Sequence, residues 1–80
     1  MEREEIVNKL TPIFRDVFSE HSLVVTDELS ALDVEKWDSL SHMLLITEVE
    51  KQFAIKFKLK DLNKMLNVGD MINIIRSKML

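Results

Sequence analysis

An all-α fold of four helices around one modest core is predicted by three features of this chain of 80 residues. Apolar side chains recur at spacings of three and four near both ends and through the middle. One glycine and one proline leave little turn chemistry for a β architecture. The 46% hydrophobic and 31% charged content is that of an ordinary globular domain, and a chain this short buries only about 60% of its unfolded surface, so residues 1–80 are expected to form a single domain.

The first helix is read from Glu2 to Phe18, where Ile6, Val7, Leu10, Ile13, Phe14, Val17 and Phe18 fall on one face. Pro12 removes one backbone hydrogen bond and crowds the carbonyl of Asn8, but the apolar stripe keeps its phase across it, which predicts a bent, continuous helix. Residues 19–38 show no sustained period and read as a long connection with Leu23, Val24, Val25, Leu29, Leu32 and Val34 as candidate tethers to the core. Asp38 and Ser39 are both good N-cap residues and predict the start of a second helix, with Leu45, Ile46, Val49 and Phe53 as its buried stripe. Leu40, Met43, Leu44 and Thr47 form a second face on that helix, which is then either buried on both sides or in part a contact surface.

Beyond Phe53, the apolar residues Ile55, Phe57 and Leu59 alternate with Lys56, Lys58 and Lys60. The period of two suggests an edge strand, but without a partner strand the segment reads as an extended connector whose apolar side chains close the base of the bundle. A short third helix is expected from Asp61 to Leu66. A fourth, capped by Asn67, is expected from Val68 to about Met79 with Val68, Met71, Ile72, Ile75 and Met79 inward.

Composition narrows the function. There is no cysteine, so any thiol chemistry must be imported. No apolar run approaches the ~20 residues of a membrane span, and the N-terminal residues lack the pattern of a signal peptide, so a cytoplasmic protein is expected. The net charge of −3 divides unevenly. Residues 1–26 carry three basic and five acidic side chains, residues 27–53 two and seven, and residues 54–80 six and two. The acidic middle third, which contains Ser39, repels nucleic-acid phosphates and favours basic partner surfaces.

The segment Asp33-Val34-Glu35-Lys36-Trp37-Asp38-Ser39-Leu40-Ser41-His42-Met43 resembles the prosthetic-group attachment site of acyl carrier proteins and related peptidyl carrier domains. Val49–Ile55 and Asn67-Val68-Gly69-Asp70 fall at the family's later helix ends and starts, so the likeness spans nearly the whole chain. It implies an acyl-carrier-like four-helix bundle with a long first loop that folds back over the core. It also implies a 4'-phosphopantetheine arm, drawn from coenzyme A, attached covalently to Ser39. The implied role is to hold acyl intermediates as thioesters and shuttle them between partner enzymes of fatty-acid, polyketide or related biosynthesis. The implied partners are a phosphopantetheinyl transferase and acyl-loading and acyl-transferring enzymes, with Asp38, Leu40, Met43, Leu44 and Glu48 at recognition positions and the protein itself a monomer. A hydroxyl at a helix start suits this use, since it is open to a transferase while the helix dipole favours the attached phosphate.

Lys36 and Trp37 precede Asp38 where the housekeeping fatty-acid carrier has a glycine two residues before its aspartate. Ser41, Leu44 and Lys51 stand where acidic side chains are common in that carrier. The pattern looks more like discrete carriers of specialised pathways, and Trp37 reads as a loop anchor packed on the bundle. An aminoacyl or peptidyl carrier shares the same chemistry. From another class, a helical interaction module without a prosthetic group is the alternative. Enzymatic activity is not expected: Ser39, His42 and Asp38 lie too close in sequence to assemble a nucleophilic triad, and no glycine-rich turn offers an oxyanion hole. Metal-ligand spacing is likewise missing.

Overall fold

The computed structural model describes residues 2–79 and contains four helices among them, with no strand: α1 (Arg3–Phe18), α2 (Ser39–Phe53), α3 (Leu59–Leu62) and α4 (Val68–Met79). Helix α1 packs against both α2 and α4, and the core lies between these three. Ile6, Leu10, Ile13, Phe14 and Phe18 from α1 meet Leu45, Ile46, Val49 and Phe53 from α2 and Val68, Met71, Ile72 and Ile75 from α4. Each of these triplet or quartet spacings is the stripe expected of an amphipathic helix.

Helix α1 runs unbroken through Pro12. Pro12 and Asn8 both lie on the exposed face, so the Asn8 carbonyl that loses its helical partner remains open to water. Both α1 and α2 end on residues in the left-handed conformation, Ser19 (φ 52°) and Ala54 (φ 55°), rather than on glycine.

The twenty residues between α1 and α2 are held by specific bonds. Arg15 Nε donates to the Leu23 carbonyl (2.9 Å), and Arg3 pairs with Asp27. The carbonyls of Leu29 and Asp27 accept from Val68 and Gly69, each at 2.9 Å, so the loop satisfies two open amides at the start of α4. This close approach is what Gly69 permits: a Cβ there would sit 3.3 Å from the Asp27 carbonyl oxygen and 3.2 Å from Asn67 Oδ1. Asn67 caps α4 as expected, its side chain accepting from the Asp70 amide at 2.9 Å. Of the six expected tethers, Val25, Leu29 and Val34 are buried and Leu23 is partly so, whereas Val24 and Leu32 (98% exposed) point to solvent. The Ser30–Asp33 turn, in which each backbone amide bonds the other residue, holds Leu32 at its outward tip.

Two boundaries differ from the sequence reading. Helix α3 begins at Leu59, two residues before Asp61, because the Asp61 carboxylate reaches back to the Lys58 amide at 2.8 Å and caps the helix from inside its first turn. It ends at Leu62. Leu59, expected to help close the base, is exposed, and only Ile55 and Phe57 of the alternating segment pack on the core.

Candidate functional site

Asp38 is the N-cap of α2 and forms a reciprocal pair with Ser41: its Oδ1 accepts from the Ser41 amide, and Ser41 Oγ accepts from the Asp38 amide, each at 2.9 Å. Ser41 Oγ also donates to the Lys36 carbonyl at 2.7 Å. The Ser41 amide holds the Asp38 carboxyl below its ordinary range.

Ser39 is the first residue of α2 and is exposed. Among the described residues its hydroxyl has no hydrogen-bond partner, in contrast to that of Ser41. Two serines in one turn therefore divide the work: Ser41 fixes the helix start, and Ser39 presents a free Oγ.

Trp37, immediately before the cap, is 8% exposed and fills the seam between loop and bundle. Its ring meets Phe14 edge-on at 5.5 Å and lies 5.3 Å from Phe18. The indole N–H donates to His42 Nδ1 at 3.0 Å, and the two ring planes lie within 18° of parallel, joined edge to edge by that bond. Indole can only donate, so His42 Nδ1 carries no proton and the neutral ring has its proton on Nε2. Burial lowers the His42 pKa below the usual imidazole value. With Nδ1 on the indole and the Asp38 carboxylate on the Ser41 amide, a serine–histidine–aspartate relay is not assembled. This pair was missed in the sequence, where Trp37 and His42 were weighed separately; the available signal was a tryptophan five residues before a histidine across a helix start.

Ser39, Asp38, His42 and Met43 line one side of a surface cleft, faced by Ala31 of the first loop and by Met65 and Leu66 after α3. Leu40 (76% exposed), Met43 (52%) and Leu44 (57%) stand outward along α2. Leu44 and Glu48 turn away from this cleft toward a second groove, lined from α1 by Ile13 and Val17, so Ser39, Asp38 and Met43 lie on one surface, Leu44 and Glu48 on its neighbour, and Leu40 lines neither. No helix among the described residues is long and apolar enough to cross a membrane.

The site fits a phosphopantetheine group on chemical grounds: an uncommitted hydroxyl, on the first turn of a 15-residue helix, beside a cleft with both polar and apolar walls.

No protein-family model matches the chain. An acyl carrier protein of Thermotoga maritima is 32% identical over 77 residues, covering 96% of this chain and 95% of the relative. One from Coprothermobacter proteolyticus is 30% identical over 79 residues, covering 99% and 96%. The solution structure of a holo acyl carrier protein from Geobacter metallireducens superposes with a TM-score of 0.88 at 49% identity, covering 92% of this chain and 85% of that one.

Proposed function

The chain belongs to the acyl carrier protein family, and on that premise we propose that Ser39 Oγ is where a 4'-phosphopantetheine arm is attached, making this single domain a carrier of acyl intermediates with no catalysis of its own. The observation that carries the reading is the free, exposed Ser39 hydroxyl on a helix start that Asp38 and Ser41 hold rigid. A phosphopantetheinyl transferase would bring the Ser39 oxygen to the phosphate of coenzyme A, the nucleotide half leaving as the new phosphodiester forms. When bound, the arm supplies a terminal thiol on which an acyl group is held as a thioester. The chain's own residues do the rest. Helix α2 keeps the point of attachment fixed and its dipole favours the phosphate. Leu40, Met43 and Leu44 offer an apolar docking face, with Asp38 and Glu48 as acidic recognition points for basic partner surfaces.

Trp37 and His42 support a place in a specialised pathway, since they give the neighbourhood of Ser39 an aromatic wall in place of acidic side chains; the first turn of α2 holds no acidic residue. A cytoplasmic, monomeric carrier that visits loading and transferring enzymes in turn is the corresponding cellular form.

The test is the intact mass of the protein after incubation with coenzyme A and a broad-specificity phosphopantetheinyl transferase, alongside Ser39→Ala. A gain of one phosphopantetheine in the wild type alone is expected. No gain in a folded sample, with the transferase active on a control carrier, would overturn the reading in favour of an interaction module without a prosthetic group.

A further inference from the structure

We propose that His42, held by Trp37 as its Nε2–H form, is a positioning residue for the arm: its Nε2–H donates a hydrogen bond to the phosphodiester on Ser39. This rests on the carrier reading and goes beyond it, since it assigns a role to a side chain that attachment itself does not require.

The argument begins with placement. Ser39 and His42 are three residues apart on one helix, so their side chains are neighbours on the same face, and both line the same cleft. Orientation comes next. A histidine three residues from the attachment point could present either nitrogen or neither, but here the choice is made by the indole. Trp37 Nε1–H occupies Nδ1 at 3.0 Å, and this in-plane bond holds the imidazole within 18° of the indole plane. Trp37 is itself immobilised against Phe14 and Phe18. The remaining nitrogen, Nε2, therefore bears the proton and has a fixed direction.

The charge state suits the task. Of the other side chains lining the cleft, only Asp38 is titratable, and its carboxylate is engaged by the Ser41 amide. Met65 and Leu66 beyond α3, Ala31 in the loop, and the two phenylalanines of α1 behind Trp37 bring no charge. A second proton on His42 would have to go to Nδ1 and displace the indole, so the ring is built to remain a neutral donor. Burial acts in the same direction. A neutral donor steadies a diester without locking the arm in an ion pair, and so leaves the distal part free to travel. The competing account is that His42 only accepts from Trp37 and anchors the loop.

The experiment uses the holo protein, its single arm verified by intact mass, titrated from about pH 8 downward until the His42 inflection is complete. Long-range ¹H–¹⁵N spectra follow His42, and ³¹P spectra follow the diester, whose own ionisation lies far below this range. The expected result is the Nε2–H tautomer at neutral pH and a ³¹P resonance that moves with the same inflection as His42. In His42→Gln, whose amide oxygen can still accept from Trp37, the ³¹P line is expected to be flat although His21 remains. A ³¹P line that stays flat through the wild-type His42 inflection, a proton on Nδ1 at neutral pH, or an inflection that persists in His42→Gln would overturn the proposal and leave the carrier reading standing. If His42→Gln does not fold, the wild type decides: His42 Nε2 must shift between apo and holo forms, and an unmoved Nε2 overturns the proposal. If no arm attaches at all, the carrier reading fails first and this inference falls with it.

Discussion

The Lys78 ammonium near the end of α4 lies 2.8 Å from the Asp61 carboxylate of α3, and both side chains are largely withdrawn from solvent. The same Asp61 oxygen accepts from the Lys58 amide, so one carboxylate both caps the four-residue α3 and ties it to α4. A helix this short has no stability of its own. Its position beside the Ser39 cleft, which Met65 and Leu66 complete, is held by this tie together with Leu62 and Met65, which pack on the core.

Lys78→Met should release α3 while leaving the bundle folded. Amide exchange at Asp61–Met65 is expected to accelerate several-fold, with the amides of α2 unchanged. Lys78 holds the Asp61 carboxyl below its usual pKa, followed in effect by the Lys58 amide. A carboxyl lowered in the folded state contributes stability that is intact above the unfolded value of 3.8 and is lost as pH falls through the folded one. Unaltered exchange in α3 would show that apolar packing alone holds it.

Where local chemistry and tertiary packing agree, the sequence was enough. Asp38 caps α2 and Asn67 caps α4 within the residues that define those helices, and each apolar stripe was read at its true phase. Asp61 misled because it resembles a residue that begins a helix, whereas here it is the third residue of one and caps backwards. Val24 and Leu32 misled because hydrophobicity does not say which loop residues face outward; Leu32 does so at the tip of the Ser30–Asp33 turn. The place of Ser39 at the start of α2 was legible from its neighbours, but the division of labour with Ser41, and the Trp37–His42 bond, exist only once the loop is closed onto α1.

Ala54→Gly should stabilise the protein. Ala54 ends α2 at φ 55° and ψ 45°, a conformation that costs an L-residue with a Cβ about 1–2 kcal/mol. Part of the relief is offset by the greater freedom of glycine in the unfolded chain, leaving a net gain of about 0.5–1 kcal/mol. A rise in the urea midpoint with an unchanged denaturant slope is the expected signature. A fall in the midpoint would mean that the alanine methyl makes contacts outweighing its strain.

Stability should decline in mild acid because of His42. Its pKa is lowered by burial, so the folded state binds a proton less readily than the unfolded chain does. The contribution is complete above the unfolded value of 6.5 and is lost as pH falls through the folded value, below which it is flat. Asp38 and Asp61, whose pKa values are lowered from 3.8, act in a more acid window and do not obscure it. Unfolding free energies from pH 8 down to pH 4.5 should thus show a step that His42→Gln removes. An identical profile in both proteins would place the titration elsewhere.

Leu40 separates folding from recognition. At 76% exposure one residue beyond Ser39, it has little packing to lose, and Leu40→Ala should alter unfolding free energy by no more than about 0.5 kcal/mol. An apolar anchor at the centre of a docking face is worth more than about 1 kcal/mol to an interface, roughly a fivefold change in affinity. The expected pattern is therefore a wild-type melting curve with a several-fold lower kcat/KM for the transferase acting on this protein as substrate, carried mainly by KM because the reacting hydroxyl is untouched. Met43→Ala, four residues past Ser39 and half exposed, provides the internal comparison. A loss of stability with unchanged transfer kinetics would make Leu40 part of the fold, and the docking face would have to lie toward Leu44 and Glu48 instead.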